Sequence, residues 1–363
     1  MSRKLFISIS LLIMIMSLSF YACKKDNTIE EAPKTTAYVA PSIQNFRTMP
    51  IDAANPMTVE GIALGKKLFF DPILSRDSSI SCSSCHKQEN SFSDPRPRSR
   101  GVDNMPGPRH SMALINLAWQ KDRFFWDGRV STLKEQAGLP IEDPLEMHLP
   151  IAQAEQRIQR HPEYVDMFWK AFGTKTVTKD LITKAIEQFE KTLLSYNSKF
   201  DKYARGEMEL SASELRGLDI FKTEKGDCFH CHSSTAPEVF ISPDRTFANN
   251  GLDSVSSVLD FADFGLGKFT GNVNDYGRFK IPTLRNLAFT APYMHDARFA
   301  TLDEVIDFYS AGPKGSPTLE PIMREKANKR VELTGHWGLS LSTQEKADLK
   351  AFLLTLSDST FIR

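Results

Sequence analysis

Four of the five cysteines fall into two short groups, Cys82-Ser-Ser-Cys85-His86 and Cys228-Phe-His-Cys231-His232. A cysteine pair at this spacing suits a redox disulfide or half of a zinc site. The histidine that closes each group argues for a third chemistry, covalent attachment of a c-type haem: the two thiols bond to one porphyrin edge and the imidazole takes the iron from below. A redox pair usually follows a strand and opens a helix, yet no strand-like run precedes either group. A zinc site of four thiolates needs no histidine after each pair. The groups start 146 residues apart. Two separate haems are therefore expected, attached at Cys82, Cys85, Cys228 and Cys231, with His86 and His232 as proximal ligands.

Helices must position these groups. Gly65-Lys-Lys-Leu68-Phe69 precedes the first group and Gly217-Leu-Asp-Ile220-Phe221 the second, a weak internal echo. Each reads as a short helix whose glycine permits close approach and whose apolar pair faces a core. Ser211 followed by Glu214 fits a capping box at the start of the second. Between the halves, Ile182, Ile186, Phe189, Leu193 and Phe200 recur at helical spacing and predict one long amphipathic helix. Little of the chain alternates with period two. The fold class expected is mainly α, with two cytochrome c-like haem domains in one chain, over residues 46–205 and 206–363. The last 20 or so residues are expected to return to the first domain.

The 363 residues fit about two domains at roughly 150 residues each. Hydrophobic residues make up 41% and charged residues 25%, which excludes a multi-span membrane protein and a mostly disordered chain. Lys plus Arg balances Asp plus Glu at 45 each, so no broad basic surface for nucleic acid is implied. The fifth cysteine has its own context. Arg3 and Lys4 precede 18 uncharged residues, Leu5 to Ala22, and Cys23 follows at once. That is the layout of an export signal, and a cysteine after the small residue resembles a bacterial lipobox. Residues 1–22 are read as a lipoprotein signal peptide, Cys23 as the lipid anchor and 23–45 as a flexible tether. A plain secreted protein and an uncleaved anchor are the alternatives. An exported location follows, on the periplasmic side or outer membrane, with membrane contact only through the lipid.

Three further segments decide the family. They are Arg123-Phe-Phe-Trp126-Asp127-Gly128-Arg129 with Gln136, Pro140 and Glu146; Lys280-Ile-Pro282-Thr-Leu-Arg285-Asn286; and Ala291-Pro292-Tyr293-Met294-His295-Asp296. With the two CxxCH groups in this order, the chain resembles the bacterial di-haem cytochrome c peroxidases, including their MauG-like branch, over roughly residues 50–345. The resemblance implies that the N-terminal haem is the peroxide site and that the C-terminal haem handles electrons. It implies that Trp126 lies between them and that Gln136 and Glu146 sit over the peroxide. A carboxylate there could move a proton from the inner to the outer peroxide oxygen, and desolvation would raise its pKa. A small c-type cytochrome or copper protein is the implied electron donor, and a homodimer is common among relatives. The family also holds a calcium ion between its domains. The carbonyls of Thr290 and Pro292 match its ligand positions, with His110 where an Asn is usual.

Two departures set the subtype. Many members hold a displaceable distal His over the peroxide iron; the matching position here is Val102, which cannot ligate. An always-open first iron is expected, with His110 the nearest alternative ligand. Typical members place a Met fourteen residues after the His of the third segment, and that residue here is Tyr309. A phenolate stabilises the ferric state, whereas a thioether raises the potential. Tyr309 is the expected sixth ligand of the second haem; Met294, or no protein ligand, are the alternatives. His148 is a candidate pocket residue, and His295 is expected to make a structural hydrogen bond. Three functions compete: reduction of H2O2 to water, MauG-like oxidation of a protein side chain, and non-enzymatic electron carriage or sensing. Glu146 and Gln136 weigh against the last.

Overall fold

The computed structural model describes residues 31, 33–50, 52–120, 122–232 and 246–362. Residues 34–363 form one compact unit. Among the described residues there are twelve helices: α1 (Val59–Phe70), α2 (Leu133–Glu142), α3 (Ile151–Gln159), α4 (Pro162–Phe172), α5 (Lys179–Glu190), α6 (Lys199–Ala204), α7 (Ala212–Lys222), α8 (Phe229–His232), α9 (Gly267–Thr270), α10 (Leu302–Ala311), α11 (Pro321–Thr334) and α12 (Thr343–Leu354). The described sheet is one short antiparallel pair, β1 (Phe247–Ala248) with β2 (Phe279–Lys280). The mainly α expectation holds. No described helix is long and apolar enough to cross a membrane. Cys23 and the segment 1–22 lie outside the described residues.

Two apolar cores organise the unit. The first gathers Leu64, Leu68, Ile141, Phe168 and Ile182, with Cys82 packed against it. The second gathers Leu218, Phe221, Ile306, Leu349 and Phe352, with Cys228 against it. The repeated glycines explain the shared architecture. A Cβ on Gly65 would run into the backbone of Ala185 in α5, and one on Gly217 into the backbone of Asp348 in α12. Only glycine lets α1 and α7 lie this close to their partner helices. The Ser211–Glu214 capping box starts α7 as expected. Phe200 packs in the second core although it precedes residue 206, and Phe361 packs on the Phe69–Phe92–Phe189 group of the first half.

The single long helix expected from Ile182 to Phe200 is a correction. α5 stops at Glu190 and a new helix, α6, begins after Ser198. Asn116 reaches into the gap. Its N–H donates to Leu193 O (2.8 Å), its side-chain amide donates to Ser195 O (2.9 Å), and its Oδ1 accepts from Ser195 N (2.8 Å). These bonds occupy backbone groups that a continuous helix would use internally. The Ser198–Asp201 capping box then restarts the helix.

The internal echo is stronger than the sequence reading indicated. Shifting by 169 residues superposes Phe124–Leu133 on Tyr293–Leu302. Both segments close the same bridge, Phe124 with Val130 and Tyr293 with Phe299. Both carry an Asp–Arg pair, Asp127 with Arg129 and Asp296 with Arg298. Both then enter a helix through a Thr–Glu capping box. In this register Trp126 matches His295, and Pro140 in α2 matches Tyr309 in α10.

Candidate haem and peroxide site

One cavity of about 640 Å³ is lined by both CxxCH groups and by Trp126, Gln136, Glu146, Thr290, Pro292 and Tyr309. The haem-attachment, distal, bridging and Tyr309 candidates therefore share one cavity, whereas His148 does not line it. The four cysteines are free of disulfides. Burial pushes the Cys82, Cys85 and Cys228 thiols up, opposite to the depressed thiol of a thioredoxin-like pair.

The first histidine is set up as an iron ligand. His86 Nδ1 lies 2.9 Å from Phe92 O. A carbonyl only accepts, so Nδ1 carries the proton and Nε2 keeps its lone pair. Burial also lowers the His86 pKa, keeping the ring neutral. His232 is held down to about 4 by burial, so it too is neutral at ordinary pH.

α2 and the turn after it build the distal side. Gln136 projects from α2, and its Oε1 is buried with no hydrogen-bond partner. An orphaned amide oxygen in a haem-sized cavity fits a site that receives another polar group. The following loop folds back onto the end of α2: Met147 N donates to Pro140 O (3.0 Å) and Leu149 N to Ile141 O (2.7 Å). This return places Glu146 in the same cavity as Gln136. Glu146 is raised to about 7, first by burial and then by Asp143, with Arg129 opposing. Val102 donates its backbone N–H to Glu146 O (2.8 Å), and Gly101 packs on the Leu145 carbonyl too tightly for a Cβ. The Gly101–Val102 segment is thereby fastened to the Glu146 turn.

Trp126 is clamped between the halves. Its Nε1 donates to His110 O (2.8 Å), and its own carbonyl accepts from Lys280 N (2.8 Å). The His295 ring stands edge-on 6.4 Å away and stacks on Phe279 at 3.5 Å. Arg109 lies over the Phe279 ring and pairs with Asp127 and Asp263. The hydrogen bond expected of His295 is thus made by its backbone, which accepts from His110 N (2.8 Å), while the ring is held by stacking. His110 donates Nε2–H to Asp94 O (2.7 Å), so that nitrogen is already engaged. His148 does not line the cavity; it turns outward to Asp103 (3.0 Å) and Arg76 (3.0 Å).

On the second side, Tyr309 projects from α10. Burial, with help from the nearby Cys231 and Cys228 thiols, pushes its hydroxyl up to about 12; a hydrogen bond from Asn250 opposes that rise. Asn250 Nδ2 donates to Tyr309 Oη at 3.0 Å. Met294 also lines the cavity.

Three cavity residues have no role assigned from the sequence. Glu190 is buried, its Oε2 has no partner, and burial followed by Glu187 raises it to about 8. A signal existed: Glu190 stands four residues after Ile186, on the apolar face of α5. Lys280 is buried, lowered to about 8 by desolvation, and donates to Arg123 O (2.8 Å). Asn250 had no sequence signal.

This fold, with two CxxCH groups facing one cavity, defines a di-haem c-type oxidoreductase. The chain belongs to the di-haem cytochrome c peroxidase family, whose model matches residues 59–209. It is 34% identical over 333 residues to the methylamine utilization protein MauG of Methylorubrum extorquens, covering 91% of this chain and 87% of that one. It is 38% identical over 264 residues to the cytochrome c551 peroxidase of Nitrosomonas europaea, covering 72% and 76%. A crystal structure of a MauG-like protein associated with microbial copper homeostasis superposes with a TM-score of 0.76 at 32% identity, covering 90% of this chain and 97% of that one. Two haems are the cofactors of this family.

Proposed function

We propose that this chain is an exported peroxidase that reduces H2O2 to water, with electrons entering at the C-terminal haem and passing by Trp126 to the N-terminal one. One haem would be held by Cys82, Cys85 and His86, the other by Cys228, Cys231, His232 and Tyr309. Bound haem would supply the two electrons that split the O–O bond. The protein residues handle the protons. Glu146 accepts the proton of the inner peroxide oxygen and delivers it to the outer one, which leaves as water; the inner oxygen then takes two protons from solvent and two electrons from the external donor and leaves as a second water. Gln136 orients the peroxide without adding charge. Arg129 tempers the carboxylate's reluctance to ionise. The observation that carries this reading is that Glu146 and the partnerless Gln136 amide oxygen line the same cavity as the CxxCH groups. By the resemblance, Val102 stands at the sequence position where many relatives carry a displaceable ligand, and a valine side chain cannot ligate iron. The diferric protein is therefore expected to give one high-spin and one low-spin EPR signal. Two low-spin signals would remove the open site.

Tyr309 favours a second reading, MauG-like oxidation of a protein side chain. Mixing the diferric protein with H2O2 separates the two. A rapid spectral change without prior reduction favours the oxidase; a requirement for one-electron reduction favours the ordinary peroxidase.

The finer parts of the proposal rest on sequence and resemblance. They are a signal peptide over 1–22, a lipid at Cys23, a tether over 23–45, and haem domains at 46–205 and 206–363. The donor is a small c-type cytochrome or copper protein, and the chain pairs as a homodimer. Calcium at the Thr290 and Pro292 carbonyls rests on resemblance alone. His110, at the usual Asn position, has its ring nitrogen on Asp94 and its carbonyl on Trp126.

A further inference from the structure

We propose that Asn250 is a positioning residue for the second haem, holding the Tyr309 oxygen by hydrogen-bond donation and so setting that haem's potential. The inference rests on the reading of Tyr309 as the sixth ligand. Asn250, Tyr309, Met294 and His232 line the same cavity. Asn250 Nδ2 lies 3.0 Å from Tyr309 Oη and 3.8 Å from Met294 Sδ. The amide is thus within hydrogen-bond reach of both candidate ligands, but only the oxygen is a strong acceptor.

The backbone around Asn250 is built to keep that amide in place. The preceding residue, Asn249, is buried. Its side-chain amide donates to Ser316 Oγ (3.0 Å) and Thr318 Oγ1 (3.0 Å). Its Oδ1 accepts from Gly251 N (2.9 Å) and its carbonyl from Glu320 N (2.9 Å). The following residue, Gly251, has φ +75° and accepts from Lys314 N (2.8 Å); a Cβ there would press on Pro313. Upstream, β1 is paired to β2. Asn250 is therefore fixed on both sides, and α10 delivers Tyr309 to it.

The chemistry follows from the charge on the ligand. A phenolate bound to iron keeps much of its negative charge, and a hydrogen bond to a charged acceptor is of the stronger kind. Donation from Asn250 draws electron density away from the oxygen. The ferric state then gains less from the ligand, and the potential sits higher than an unassisted phenolate would set it. A thioether would gain little from the same amide.

The test uses the full-length protein carrying both haems. In Asn250→Leu, the second haem's ferric-to-ferrous ratio at a given potential should rise about tenfold, a fall of about 59 mV for one electron. The phenolate-to-iron charge-transfer band should move to lower energy. The first haem should be unaffected. The same pair of measurements is made on Tyr309→Phe and on the double variant. The Asn250→Leu shift should vanish in the Tyr309→Phe background. If Tyr309→Phe alone changes neither potential nor spectrum, the ligand reading fails. If Tyr309→Phe changes both but Asn250→Leu changes neither, the Asn250 proposal fails while the ligand reading stands. An equal Asn250→Leu shift in both backgrounds also overturns it, because Asn250 would not be acting through Tyr309.

Discussion

Glu146→Gln is expected to lower peroxide turnover by about two to four orders of magnitude while leaving both haem spectra nearly intact. The magnitude is that of removing a positioned general acid–base. Glutamine keeps the shape and can still accept a hydrogen bond, so the cavity need not change; what it loses is the capacity to take a proton. The pH dependence gives a second readout. Burial, then Asp143, hold the carboxyl up near 7 against the pull of Arg129. The working form is the carboxylate, because it must accept the first proton. The kcat/KM for peroxide should therefore climb with pH up to about 7 and level above it, and the climbing limb should disappear in Glu146→Gln. Arg129→Leu should push the same limb to higher pH, since it removes the one positive neighbour that favours ionisation. Steady-state assays across pH 5 to 9 with a fixed reductant read the unmodified protein and both variants. Turnover that survives in Glu146→Gln would take this carboxyl out of the mechanism.

How much of this was open to sequence reading depends on whether a feature is local. The CxxCH groups carry their chemistry within five residues, and the capping box at Ser211 and Glu214 within four, so both were legible. Glu146 and Gln136 were named through the resemblance, by their spacing from Trp126, and one helix and one returning turn place both on the same cavity. The helix break after Glu190 was not. Apolar spacing through Leu193 and Phe200 reports burial, and burial persists across the break, while the groups that enforce it come from Asn116, far back in the chain. The outward turn of His148 follows from Arg76 and Asp103, two other remote residues. Asn250 likewise depends on Asn249 reaching Ser316 and Thr318. Chemistry fixed by short motifs can be read along the chain; chemistry fixed by long-range polar pairs needs the fold.

Tyr309→Met is expected to raise the midpoint potential of the second haem by on the order of 200 mV, part of the roughly 0.8 V that axial ligands command. The internal echo shows why this position has such leverage. α2 and α10 start from the same capping box and run the same length, and the eighth residue of each faces the shared cavity. In α2 that residue is Pro140, which offers the first haem nothing to bind; in α10 it is Tyr309, which offers an oxygen. On the proposed reading, one scaffold used twice would leave the first iron open, with Val102 and Pro140 on its side, and close the second with Tyr309. As the proposed ligand, an anionic phenolate would hold the second iron ferric, which suits a haem that must tolerate oxidation. A thioether would make the same haem easier to reduce and turn it toward ordinary electron entry. In Tyr309→Met the asymmetry of the two irons should survive, because Pro140 and Val102 are untouched: the first haem keeps its potential and its open site. The variant should also depend more on prior reduction before it reacts with H2O2. A spectroelectrochemical titration that finds both potentials unmoved would exclude Tyr309 as the ligand.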